Sequence, residues 1–257
     1  MVLSKQIALI AALLSAFCVS QLCALPFSSY AKYDVKYGIF SMGEATASLK
    51  IYENGTYETE VKAKATGLAA TLSGKRVETY KSVGKIVDGR LLPDTLEKFR
   101  SSGKKTKLVK YVFDHETKEA AAFEDRCVKS DCTHTSEMLP EYAQNDILTL
   151  YHNVALMFGK EGVKELNATA IGSKQPVHVI VPEGKQLKTA TKAFGSAEGF
   201  YIVVILNQEI FSSDKGELYI NLDEDDMTAS EAVLKNTTLF GDIWGKRIEK
   251  KSEGEWE

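Results

Sequence analysis

The chain has 257 residues, 44% of them hydrophobic and 26% charged, with a formal net charge of −3. That balance supports a real hydrophobic core and leaves no electrostatic footprint for nucleic acid. No P-loop, dinucleotide fingerprint, G-x-S-x-G elbow or H-E-x-x-H helix occurs, so no motif points to an enzyme, a cofactor or a metal.

At the N-terminus, Lys5 precedes an apolar stretch from Ile7 to about Leu25, and Pro26, Ser28, Ser29 and Ala31 follow. Charged, apolar, then small and polar is the order of a secretory signal. The alternative is an uncleaved membrane anchor, since about twenty apolar residues span a bilayer. Ser15, Ser20 and Gln21 interrupt the stretch, however, and no basic cluster follows it. Small residues at Cys18/Ser20 and at Ser29/Ala31 offer two cut positions. Residues 1–31 therefore read as a signal peptide cut between 20 and 31, residues 32–250 as a single β-rich domain and residues 251–257 as a polar tail. The expected location is the periplasm.

The body reads as short strands and tight turns. "KYDVKYGIF" alternates Tyr33, Val35, Tyr37 and Ile39 on one face, "SMGEA" is predicted to turn it and "ATASLKIY" to return. Asn54-Gly55 and Asp88-Gly89 are hairpin signals. "ATGLAATLSG" is a candidate short helix. "KKTKLVKYVFD" is predicted to pair with "EAAAFED" across "HETK". Its lysines, Lys104, Lys105, Lys107 and Lys110, read either as an anion-binding patch or as the solvated face of a protected edge strand.

Export leaves Cys127 and Cys132 as a pair, and "VKSD" between them reads as a polar turn. A disulfide is the first reading in an oxidising compartment. Zinc would have to recruit His134, His115 or Asp131, and a redox pair is usually spaced C-x-x-C. The segment "NDILTLYHNVALMF" places Ile147, Leu148, Tyr151, Val154, Ala155 and Phe158 at helical spacing, capped by Asn145 or Asp146 and ended by Gly159. His152 on that helix reads as a packing or surface residue. "KELNATAIG", "PVHVIVPEG", "KQLKTATKAF", "FYIVVILNQEIF", "GELYINLDED" and "TASEAVLKNTTLFGDIWGKRIEK" are predicted strands. "LDEDD" lacks the completion of a calcium loop and reads as a turn. Asn167, in Glu165-Leu166-Asn167-Ala168-Thr169, fits an extended acidic glycosylation sequon. The fold class is mainly β: a strongly curved antiparallel sheet, or partial barrel, wrapped around one main helix.

"YDVKYGIFSMGEATASLKI", "ATGLAATLSGKRVETYKSVGKI", "LPEYAQNDILTLYHNV" and "GELYINLDEDDMTASEAVLKNTTLFGDIWGKRI" occur in the order of a bacterial envelope family. From about Tyr33 to Ile248 the chain resembles the family known as domain of unknown function 3108. The resemblance implies an exported β-rich protein, akin to open barrels that carry lipoproteins or lipids, and transfers no catalytic residues. The cysteine pair is not part of the family pattern. The expected function is a non-enzymatic binding or carrier module for an apolar ligand such as a lipid, held beneath the helix by Leu148, Tyr151 and Phe158. The alternative is a structural or assembly partner of another envelope protein.

Overall fold

Hairpin chemistry builds most of the sheet. In the computed structural model the described residues are 26–159, 162–172, 176–195, 199–205, 216–224, 228–237 and 241–254. The signal segment as far as residue 25, the Phe200 strand beyond Ile205 and the Asp225–Asp226 half of the acidic turn lie outside them.

The first half of the chain is β1 (Phe27–Tyr37), β2 (Phe40–Ile51), β3 (Thr56–Ala65), the short helix α1 (Gly67–Leu72), β4 (Val77–Val87), β5 (Arg90–Ser102), β6 (Lys105–Asp114), β7 (Glu119–Val128) and β8 (Asp131–Met138). The Asp88-Gly89 turn has φ of 51° and 73° at its two residues, the left-handed pair whose twist matches that of flanking strands. At the Asn54-Gly55 turn, Asn54 Oδ1 accepts from both Thr56 N and Thr56 Oγ1.

Beyond β8 come the two-residue β9 (Asn145–Asp146), the main helix α2 (Ile147–Gly159), β10 (Glu165–Ala168), β11 (Ala170–Ile171), β12 (Val177–Ile180), α3 (Gly184–Phe194), β13 (Phe200–Ile205), β14 (Glu217–Leu222), β15 (Ala229–Thr237) and β16 (Gly241–Glu253). The described strands form one 14-stranded sheet in the order β10-β12-β13-β14-β15-β16-β1-β2-β3-β4-β5-β6-β7-β8, with β9 and β11 as a separate parallel pair. Every pairing in the large sheet is antiparallel, and β10 and β8 are its two unjoined edges. The result is an open, barrel-like sheet.

Helix α2 lies inside it. Leu150, Val154, Ala155 and Phe158 pack with Val177, Val179, Ile202, Ile220 and Leu222 from β12–β14. Leu148 packs the other way, with Leu96, Phe113 and Ala120 from β5–β7. Burying apolar side chains toward both arms of the sheet makes this helix the common core of the two halves. On the opposite face of β13–β15, Ala190 of α3 joins Tyr201, Val203, Tyr219 and Val233. The run "FYIVV" is continuously apolar because its strand is buried on both faces.

Four elements differ from the sequence reading. The first turn falls at Gly38–Ile39, with Ile39 90% exposed, and "SMGEA" runs through β2. A Cβ at Gly43 would lie 2.4 Å from the carbonyl oxygen of Lys64, so this glycine serves close strand approach rather than a turn. "KQLKTATKAF" is helix, not strand: Ala190 and Phe194, four residues apart, share the face that packs on the sheet. Threonines 189 and 191 disguise that period, and both donate to carbonyls of their own helix. β6 is an interior strand rather than an edge, and Lys107 and Lys110 pair with Glu124 and Glu97 on β7 and β5. Finally, β16 continues to Glu253, three residues into the segment read as tail.

Candidate functional site

Two polar constellations stand out on the inner side of the sheet, one closed and one open.

The closed one anchors α2. Asp146 caps the helix, its Oδ1 accepting from Leu148 N at 2.7 Å and Thr149 N at 2.9 Å, while its own N–H donates to Thr149 Oγ1. Asp146 Oδ2 accepts from Ser82 Oγ at 2.5 Å, and Tyr57 OH lies 3.0 Å from the same hydroxyl. Asn153 bridges to β5, accepting from Leu91 N and donating to Leu91 O, both at 2.9 Å. β6 pairs with β5 only from Thr95 onward, so the Asn153 amide satisfies backbone groups that β6 does not reach. His152 Nε2 is 3.0 Å from Thr59 Oγ1, and that hydroxyl donates to Ser48 O. Burial raises the Asp146 carboxyl above its ordinary value, lifts the Tyr57 hydroxyl with help from the Asp146 charge, and lowers His152 to about 4. Ser82 and Asp146 are 0% exposed, and His152 Nε2 meets Thr59. The arrangement ties α2 to β3, β4 and β5.

The open constellation is a cleft of about 1030 Å³ at the other end of β4–β6, roofed by residues 139–143 and 169–172. Strand register sets its wall in rows. Glu78, Arg100 and Lys107 are cross-strand neighbours; two residues further in come Tyr80, Lys98 and Val109; two further, Ser82, Leu96 and Tyr111. Residues two apart share a face, so polarity declines along the wall from a charged outer row to Leu96, which is fully buried against α2. Glu78 organises the outer row: its Oε1 accepts from Arg76 Nε and Arg100 Nε, each at 2.7 Å, and Tyr80 OH donates to Oε2. Burial opposes the Glu78 charge, but the two arginines outweigh it and hold the carboxyl below its usual range. Lys98 donates to Gly172 O at 3.0 Å and lies over the Tyr80 ring. The roof is pinned by Leu139 N, which donates to Ala120 O, and by Tyr142 OH, which donates to His115 Nδ1. His115 Nε2 donates to Pro93 O, which fixes that tautomer.

The model of the family described as "Protein of unknown function (DUF3108)" matches residues 32–244, most of the length of the sheet. The chain belongs to this family. A crystal structure of a beta-barrel-like protein of domain of unknown function DUF1849 from Brucella abortus is similar to it, at 11% identity and a TM-score of 0.49, over 90% of this chain and 99% of that one. No curated protein matches the sequence.

In this DUF3108 chain the three residues expected to line a ligand space beneath the helix are divided between two core clusters. Leu148 and Phe158 are 8% and 2% exposed and belong to opposite clusters. Tyr151 packs beside Phe158 and its hydroxyl accepts from Ala229 N of β15. None of the three lines the cleft. Of the four lysines weighed as an anion patch, Lys107 alone lines it. Asn167 is exposed on edge strand β10. Among the described residues no group of His, Cys, Asp and Glu is placed to hold a metal.

Cys127 and Cys132 face each other across the β7–β8 hairpin and are joined by a disulfide. The loop they close is short, so it constrains the unfolded chain little. Replacing both with serine should lower stability by about 2 kcal/mol or less in urea denaturation. A loss several times larger would assign the pair a wider role.

Sequence reading missed Arg76, Glu78, Tyr80, Lys98, Arg100 and Tyr142 as site residues. The available signal was period two: Lys98 and Arg100 continue the inward face that Leu96 defines.

Proposed function

We propose that the chain is an exported, non-enzymatic binding or carrier module of the bacterial envelope, taking an amphipathic ligand into the cleft over β4–β6. One observation carries this reading. The cleft wall grades from charged to apolar on the concave face, in a volume at the upper end of the range of about 300–1,000 Å³ usual for small-molecule sites. The proposed ligand space is thus the cleft beside α2 rather than the buried clusters beneath it.

A fluorescent fatty-acid analogue should bind the purified protein saturably and be displaced by unlabelled fatty acid. Thr169→Trp, which places an indole in the exposed roof of the cleft, should weaken that binding at least tenfold with little change in the unfolding midpoint. Absence of saturable binding to the wild type would overturn the proposal.

The structural-partner reading is favoured by a different observation: all eight residues of β8 are exposed, and among the described residues no strand neighbours its outer edge. A partner adding a strand there would protect the β8 amide protons from hydrogen exchange.

Export rests on the order of Lys5, the apolar stretch and the small residues. Of the two cut positions, the later one conflicts with folding. β1 pairs with β2 from Phe27 and with β16 from Ser28, and Phe27 is buried with Leu49, Ile51, Tyr57 and Leu91. A cut after Ala31 would remove those five paired residues. N-terminal sequencing of mature protein should therefore find a start before Phe27, and a start at Lys32 would contradict this.

A further inference from the structure

The ends of the cleft differ in charge as well as in polarity. Four cations, Arg76, Lys98, Arg100 and Lys107, line it with two carboxylates, Glu78 and Glu141. This excess of positive charge sits in a chain whose net charge is −3. Glu78 is engaged on both oxygens, by Arg76 and Arg100 on one and by Tyr80 on the other. It therefore acts as a clamp that brings two guanidinium groups side by side at the outer row. Lys107, next along that row, is paired with Glu124, which Arg126 also holds. Arginine forks match the oxygens of phosphate and carboxylate, and a partly desolvated site strengthens that match over its value in water. Inward from these groups the walls are Val109, Tyr111, Leu139, Ala143 and Ile171. An anion alone would leave this part of the cleft unfilled, and an uncharged chain would leave the net positive charge of its lining unbalanced.

We infer that the cleft takes a single-chain amphiphile with an anionic head, the phosphate or carboxylate at the Arg76–Arg100–Lys107 row and the hydrocarbon along Val109, Tyr111 and Ile171. This rests on the cleft being a binding site and adds the chemical class and orientation of its ligand. Free phosphate shares the head chemistry, so the test must separate the two.

Titration calorimetry of the purified chain with dodecyl phosphate, monododecanoylglycerol and inorganic phosphate does so, each amphiphile being kept below its micelle concentration. Dodecyl phosphate should bind at least tenfold more tightly than the uncharged glyceride, and added salt should narrow the gap. Inorganic phosphate should bind far more weakly than either amphiphile. Lys98→Gln/Lys107→Gln leaves the Glu78 clamp intact and Glu124 still paired with Arg126. It should cut the ratio of dodecyl phosphate affinity to glyceride affinity several-fold. Equal binding of the two amphiphiles would overturn the anionic head while sparing the apolar site. Phosphate binding as tightly as dodecyl phosphate would overturn the amphiphile. No binding of any of the three would remove this inference and the proposed function together.

Discussion

Phe158→Ala should lower the unfolding free energy by about 3–5 kcal/mol and Leu148→Ala by about 2–5 kcal/mol. Both side chains are buried on α2, but in separate clusters: Phe158 against β12–β14 and Leu148 against β5–β7. Truncation at either position leaves a cavity between a helix and a curved sheet, and neither side can collapse without moving the other. The helix is the contact common to the two arms, so each variant should lose stability across the whole domain in one cooperative transition. Urea denaturation followed by fluorescence and by circular dichroism checks this. If Leu148→Ala were nearly neutral, its surroundings would be loosely packed, and a ligand space beneath the helix would have to be reconsidered.

Asp146→Ala should cost about 3 kcal/mol. Loss of a helix cap contributes about 1 kcal/mol, and Leu148 N, Thr149 N and Ser82 Oγ are left buried with their acceptor gone. Asp146→Asn separates geometry from charge, because the amide oxygen can still cap the helix and Ser82 Oγ can accept from the amide nitrogen. Its effect should depend on pH with a definite sign. Burial raises the folded-state Asp146 carboxyl above its ordinary value. The folded chain therefore binds this proton more tightly than the unfolded chain. The Asp146 contribution to stability is then highest below the ordinary aspartate value, and it falls as pH rises through the raised one. Asparagine has no such dependence. Relative to wild type, Asp146→Asn should be more favourable at pH 7 than at pH 4 in denaturant titrations. The opposite order would mean that the hydrogen bonds from Ser82, Thr149 and Leu148 outweigh burial.

Much of the fold was legible because local chemistry and global fold agree. Asn54-Gly55 and Asp88-Gly89 turn where their backbone freedom says they should, and the helix from Ile147 carries its own cap and period. Misreadings arose where one residue type serves two purposes. Gly43 admits a neighbouring strand rather than a turn, and the threonines of α3 carry strand propensity inside a helix that Ala190 and Phe194 hold to the sheet. The candidate site was less legible for a different reason. Its wall is assembled from three strands, and Glu78, Arg100 and Lys107 become neighbours only through register. Each alone reads as a solvated charge, and no spacing along the chain links Arg76 to Tyr142.

The proposed role is tested most directly by amide chemical shifts of labelled protein titrated with dodecyl phosphate. Saturable shifts should fall on Tyr80, Lys98, Arg100, Val109, Tyr111, Tyr142 and Ile171, while Val154, Phe158 and Ile220 stay still. Shifts confined to the α2 core, or none that saturate, would contradict a binding site in the cleft.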